Sequence, residues 1–416
     1  MRLIVNLKFI FSTLNFTILN ENDVIRFIWR KAPNILKELA IWLIIRYAVP
    51  SRRKSPGNID DIEQPSDRKL MVFGNFRGGG GISRSAERYC ERQSILQCNP
   101  VLVDTTDATC QPNRKGCTFS TLTLQEAREY TAPATIVIHL NPPHFLLALA
   151  RLGKKFLSNK RIVAYWAWEL QKLPMVWRCC LDVVDEIEVP STFTKDIISK
   201  YTAKPVRVVP PVGQLAAFNS DRKSFGTTGK LRCLFIFDLA SSMERKNPEG
   251  AIKAFCSAFT PIEGELTIKV LSPHASPAAM QKLYECEKKI PHLHVISEWL
   301  TDSQLDTLYR KHDVYLSLHR SEGFGSTIFE ATRKGLYVVA TGWSGNMDFM
   351  RGDKVFPVPC VLKDVPHSVE QQLGICGAQW AHADTDAAAR ILQQIFTIVF
   401  PGRTLCNSSL QKGDIN

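Results

Sequence analysis

The segment Arg320-Ser321-Glu322-Gly323-Phe324-Gly325-Ser326-Thr327-Ile328-Phe329-Glu330 follows the apolar run Val314-Tyr315-Leu316-Ser317-Leu318 and leads into Ala331-Thr332-Arg333-Lys334-Gly335. The run reads as a buried strand, the glycines as a tight loop, and the residues from Ile328 onward as a helix that Gly335 stops. Strand, glycine loop, helix is the repeating unit of a parallel α/β sheet. Its junction lies at the carboxyl edge, where the free N–H groups and dipole of a helix start receive anions. Gly323 and Gly325 let a ligand approach the backbone. Glu322 and Glu330, eight positions apart, carry carboxylates that only accept hydrogen bonds and so suit a ligand rich in hydroxyls. Glu330 has a second reading, a capping box with Thr327 three residues upstream.

Outward from this unit, strands and helices alternate from Leu70 onward, which predicts parallel sheets joined by crossovers. Strands are expected at 69–73, 101–103, 135–140, 161–165, 186–189 and 206–209. A second series begins at 231–237 and continues at 266–271, 294–296, 314–318 and 337–340. The expected fold is α/β, with two Rossmann-like doubly wound domains facing across a cleft. Residues 67–217 form the first domain, the Ser-, Gly- and charge-rich stretch 218–230 a hinge, 231–395 the second domain and 396–416 a tail. A chain of 416 residues suits two such cores, since single cores stop growing at about 250 to 300 residues.

Composition narrows the function classes. The chain is 45% hydrophobic and 22% charged with a formal net charge of +12, an ordinary globular balance that favours acidic partners. The aromatic and basic interleaving of an RNA-recognition sheet is absent, so nucleic acid is not an expected partner. Twelve cysteines form no Cys-x-x-Cys pair, which points to a reducing, cytoplasmic compartment. Residues 1–66 read as an N-terminal extension. Its apolar stretch 35–49 contains Lys37, Glu38 and Arg46 and falls short of the roughly 20 apolar residues needed to span a bilayer. With Arg52-Arg53-Lys54 behind it, that stretch suits either an anionic membrane surface or packing on the body of the protein. Asp384-Thr385-Asp386 has metal-site spacing, but it precedes an apolar helix and reads better as a cap.

Directly after the first strand of the second domain comes Asp238-Leu239-Ala240-Ser241-Ser242-Met243-Glu244-Arg245-Lys246-Asn247-Pro248. Asn247 reads as an N-cap and Pro248 as the first helical residue, with Ile252, Phe255 and Phe259 on the buried face. Arg245 and Lys246 then stand at a positive helix end, an unfavourable place for cations unless an anion comes there. The alternative is that both are solvated, with Arg245 paired to Glu244.

These two segments, with Thr341-Gly342-Trp343-Ser344-Gly345-Asn346-Met347-Asp348, resemble the group 1 (family four type) retaining glycosyltransferases of the glycosyltransferase-B fold. The resemblance extends through Tyr165-Trp166-Ala167-Trp168-Glu169-Leu170, Val189-Pro190-Ser191-Thr192-Phe193 and Val209-Pro210-Pro211-Val212-Gly213, over about residues 69–395. It implies a hexosyltransferase moving a sugar from a nucleotide-diphosphate donor to an acceptor hydroxyl in cell-surface polysaccharide, lipopolysaccharide or glycolipid assembly. Lys246, with Arg245, would then bind the donor diphosphate, Glu330 the ribose and Glu322 the transferred sugar. The backbone of Gly323, Phe324, Gly325, Ser326 and Thr327 would meet the distal phosphate. Catalysis would rest on positioning and on stabilising the leaving group, through a same-face displacement that requires no metal or other cofactor.

Two departures stand out. Asp238 occupies a region where many relatives place an Arg. Trp166 to Glu169 stand where many have a His, leaving His139 as an alternative polar group at the cleft, or as a histidine that satisfies backbone at its strand end. The loop Gly74-Asn75-Phe76-Arg77-Gly78-Gly79-Gly80-Gly81 lacks a P-loop ending, and the resemblance places it and Glu169 along the cleft. Two rivals share the architecture, a sugar-nucleotide 2-epimerase and a non-catalytic sugar-nucleotide-binding protein. The expected partners are the donor, a carbohydrate or lipid-linked acceptor, and peripheral contact with the inner face of a membrane.

Overall fold

The computed structural model describes residues 69–78, 80–106, 120–212 and 229–405, with Ile45, Val49 and Phe225. The amphipathic N-terminal stretch, most of the 218–230 hinge and the end of the tail lie outside them. Among the described residues, no helix is long and apolar enough to cross a membrane.

Seven strands form the first sheet: β1 (Lys69–Gly74), β2 (Val101–Asp104), β3 (Leu122–Thr123), β4 (Ala134–Ile138), β5 (Lys160–Tyr165), β6 (Glu186–Val189) and β7 (Val206–Val208). Their order is β3-β2-β1-β4-β5-β6-β7, and each pairing is parallel. The second sheet contains β8 (Leu231–Asp238), β9 (Gly264–Leu271), β10 (Leu293–Ile296), β11 (Val314–Ser317), β12 (Tyr337–Thr341) and β13 (Val355–Val358). Its order is β10-β9-β8-β11-β12-β13, again parallel. These are the two doubly wound α/β domains that the alternation predicts.

Helices cover both faces of each sheet, so central strands must be apolar on both sides. β8 shows the consequence. Leu231, Cys233, Phe235 and Phe237 enter one core, shared with Ile252, Phe255 and Phe259 of the helix Pro248–Ala258 and its C-cap. Leu234 and Ile236 enter another, with Tyr315, Ile328 and Val338.

In a doubly wound sheet the crevice opens where strand order reverses, outside the carboxyl ends. Order and chain sequence put that point between β1 and β4 in the first sheet and between β8 and β11 in the second. The four segments that leave those ends are 74–81, 139–143, 238–247 and 318–326. Both sequence motifs of the second domain are among them.

Composition did not reveal one element, the antiparallel hairpin β14 (Cys360–Asp364) and β15 (Gln379–Ala383). Val365, Ala378 and Trp380 are buried in the core of the first domain, with Trp166, Trp168 and Trp177. The next helix, Thr385–Val399, returns to the second core through Ala388, Leu392, Ile395 and Phe396. Asp384 caps it, accepting from the Asp386 and Ala387 N–H groups.

Trp380 is 1% exposed, and truncating so large a buried side chain costs about 3–5 kcal/mol. Trp380→Ala should therefore destabilise the first domain by that order in chemical denaturation. Hydrogen exchange should quicken around the hairpin and Trp168 and leave Val339 protected.

Candidate functional site

Lys246 and Glu322 meet where β8 and β11 deliver them. The sequence predicts Asn247 as a cap, and its side chain accepts from the Gly250 N–H at 3.2 Å while donating to the Leu318 carbonyl at 2.7 Å. Asn247 is left-handed (φ 54°), which breaks the chain between a short helix, Met243–Lys246, and the longer Pro248–Ala258. This kink turns Arg245 and Lys246 under the loop that follows β11. Lys246 Nζ lies 2.5 Å from one oxygen of Glu322, and Arg245 Nη1 lies 3.6 Å from the other. Arg245 also donates to the Ser321 carbonyl at 2.7 Å and pairs with Glu169 of the first domain at 3.4 Å. The alternative pairing of Arg245 with Glu244 does not occur: Glu244 accepts from the Ser242 hydroxyl instead.

The Glu322 side chain is only 13% exposed. Burial alone would raise its pKa, but Lys246, Arg245 and His319 together pull it down to about 2. His319, just upstream, is fully buried and both its ring nitrogens lack a hydrogen-bond partner. Desolvation holds this imidazole neutral, with its pKa down to about 4.

The glycine loop is held in close quarters. Gly325 has φ 83° and caps the helix Ser326–Arg333 without a side-chain hydrogen bond. A Cβ on Gly345 would sit 2.1 Å from the Gly323 carbonyl oxygen. From the first domain, Ser191 donates to that same carbonyl at 2.5 Å, and the Ser321 hydroxyl donates to the Glu169 carbonyl. Phe324 packs with Phe329 and Phe349, so its ring is turned into an aromatic cluster.

Glu330 does not form the capping box with Thr327. Its oxygens pair with Arg88 of the first domain and accept from the Tyr309 hydroxyl at 3.1 Å. Arg88 belongs to the helix Gly81–Ile95, and Arg84, one turn earlier, pairs with Asp302 across the cleft. The first-domain glycine loop lies opposite β8: a Cβ on Gly80 would be 3.8 Å from Asp238. At Gly78 a Cβ would meet the Ser83 hydroxyl at 2.4 Å, and at Gly81 it would meet nothing within 4 Å. Gly79 lies outside the described residues.

His139 is a correction to the sequence reading. Expected at the cleft, it is fully buried, stacked on Tyr165 at 4.2 Å with Tyr89 at its edge. Its Nδ1 meets the Ser85 hydroxyl at 3.1 Å. Burial pushes its pKa down to about 3, so it is neutral and enclosed. Arg88, His319, Tyr309 and Ser191 escaped the sequence reading as site residues. The four-residue spacing of Arg84 and Arg88 was the available signal, since it places both on one helix face. Among the described residues, no group of three or more His, Cys, Asp or Glu could hold a metal ion.

No protein-family model matches the chain, and no curated protein does. Solved structures do. Anabaena HepE in complex with UDP and glucose matches with a TM-score of 0.51 at 13% identity, over 80% of this chain and 95% of that one. The same protein in complex with UDP-glucose matches with a TM-score of 0.50 at 12% identity, over the same shares. The fold is glycosyltransferase-B. The pneumococcal O-GlcNAc transferase GtfA, with UDP and GlcNAc, is 14% identical over 66% of this chain with a TM-score of 0.46. The chain spans about half of that protein, 53% of its length.

Glu322 has a depressed folded pKa, so its contribution to stability is complete above its ordinary value of 4.5 and is lost as pH falls toward about 2. Glu322→Gln should remove an acid limb on the order of 3 kcal/mol in that window, read as unfolding free energy against pH.

Proposed function

We propose that the protein is a retaining glycosyltransferase that moves a sugar from a nucleotide-diphosphate donor to an acceptor hydroxyl. The observation that carries this reading is the Lys246–Glu322 pair beside the uncapped start of the helix Ser326–Arg333. A nucleotide sugar brings two needs to one place: its diphosphate needs cations and N–H donors, and its sugar hydroxyls need acceptors. Lys246 and Arg245 supply the cations, and the helix start supplies the donors. Glu322, ionised throughout the neutral range, accepts from the hydroxyls of the transferred sugar, and Glu330 from those of the ribose. The carboxylates paired with these cations thus become the ligands of the sugar when phosphate takes their place on the cations.

Catalysis in this arrangement is electrostatic. As the anomeric bond to the diphosphate breaks, negative charge grows on the leaving oxygen, and preorganised cations favour that state over the ground state. The acceptor enters on the face the leaving group vacates, and the leaving phosphate oxygen takes its proton. The domain 67–217 offers the acceptor side, along Gly78 to Gly81 and Glu169, for a carbohydrate or lipid-linked acceptor of cell-surface polysaccharide assembly.

A second reading, nucleotide-sugar binding without turnover, draws on two observations: His139 is enclosed, and Asp238 places a carboxylate against the first-domain loop. Incubating the protein with UDP-, GDP- and ADP-sugars and an acceptor pool, and following release of nucleoside diphosphate, separates the two. Binding without release would leave the second reading standing.

Lys246→Ala should lower turnover at least about a hundredfold, the scale of losing one preorganised charge contact. Near-normal turnover in that variant would overturn the assignment.

A further inference from the structure

Every cation described above at the cleft is matched by a carboxylate, and three of the five pairs cross between domains. Arg245 pairs with Glu169, Arg84 with Asp302, and Arg88 with Glu330. The Arg84 and Arg88 pairs differ in setting. Asp302 is 60% exposed and Arg84 36%, so that pair is a solvated rim contact of small worth. Arg88 and Glu330 are 21% and 25% exposed, and the guanidinium also donates to the Pro211 carbonyl at 3.2 Å. Glu330 keeps a second partner on its other oxygen, the Tyr309 hydroxyl, so it stays oriented if Arg88 leaves.

We propose that Arg88 is a donor-phosphate ligand supplied by the first domain, and that its pairing with Glu330 is one of two positions of the guanidinium. The inference rests on the nucleotide-sugar reading above and deepens it. Glu330 sits one turn inside the helix whose start receives the diphosphate in that reading. When ribose hydroxyls occupy Glu330, the carboxylate shares its charge among donors and holds Arg88 less firmly. The guanidinium, on a long flexible stem with a planar fork suited to phosphate, then has an anion nearby. The first-domain helix Gly81–Ile95 would thereby contact the donor directly.

Isothermal titration of the full chain tests this with UDP, GDP and ADP, the matching nucleosides, and inorganic pyrophosphate. Arg88→Met should weaken binding of the preferred nucleoside diphosphate at least about tenfold, the scale of a charged hydrogen bond, and leave nucleoside binding unchanged. Arg88→Lys should recover part of the loss, and Arg84→Met should change neither. Glu330→Gln, which breaks the same ion pair but frees the guanidinium, should tighten pyrophosphate binding, whereas Arg88→Met loosens it. Equal losses for nucleoside and nucleoside diphosphate would show that Arg88 only braces the domains and would overturn the proposal. Tighter diphosphate binding in Arg88→Met would overturn it too, by showing that the residue competes with the donor. Both results leave the nucleotide-sugar reading intact. A wild-type chain that binds none of these probes would overturn that reading and the role of Arg88 together.

Discussion

A carboxylate enclosed by protein survives as an anion only if cations meet it there, and Glu322 is held in that way by Lys246 and Arg245. Breaking one side of such a pair leaves an uncompensated buried charge, which costs about 3–5 kcal/mol. The surrounding backbone serves this condition. Asn247 adopts a left-handed conformation so that Lys246 turns inward. The Glu322 N–H donates to Ser344, and Ser344 and the Gly345 N–H, bound to the Glu322 carbonyl, fix the loop from the other side. Ser344 itself has φ 75°, an uncommon conformation for a residue with a side chain.

The loop that carries Glu322 also ties the domains together. Ser191 and Thr194 of one domain lie on the Gly323 carbonyl of the other, the Thr192 N–H donates to Asp348 at 2.8 Å, and Phe193 packs edge-on against Trp343 at 5.7 Å. The first domain therefore touches the loop that carries Glu322 rather than a distant surface. The geometry of that loop therefore depends on contacts from both domains.

Much of this was legible in the sequence because it depends on local rules. Strands buried on both faces appear as uninterrupted apolar runs, so eleven expected strands have counterparts in the structure. Cap chemistry located Asn247 and Pro248, and the glycine turn located Glu322. The short strand β3, the edge strand β13 and the hairpin escaped, since β14 is largely exposed and its neighbours reach a core made by a distant segment. His139 misled for a related reason. A histidine that ends a strand at the switch point looks like a cleft residue until Tyr89 and Tyr165 are seen to enclose it. Arg88 pairs with a residue in the other domain, and only tertiary structure discloses such a partner.

The hairpin that contributes Trp380 has a consequence for the birth of the protein. Chains emerge from the N-terminus, and domains generally fold as units in that order. Here the core of the first domain stays incomplete until the whole second sheet has been made, because Val365, Ala378 and Trp380 come last in sequence yet belong to the same core as Trp166 and Trp177. A nascent first domain thus lacks part of its apolar core while translation continues, and the hairpin that completes it is made only after β13. The order of synthesis makes closure of the first core a late event, and it makes the two domains dependent on each other for folding as well as for the site between them.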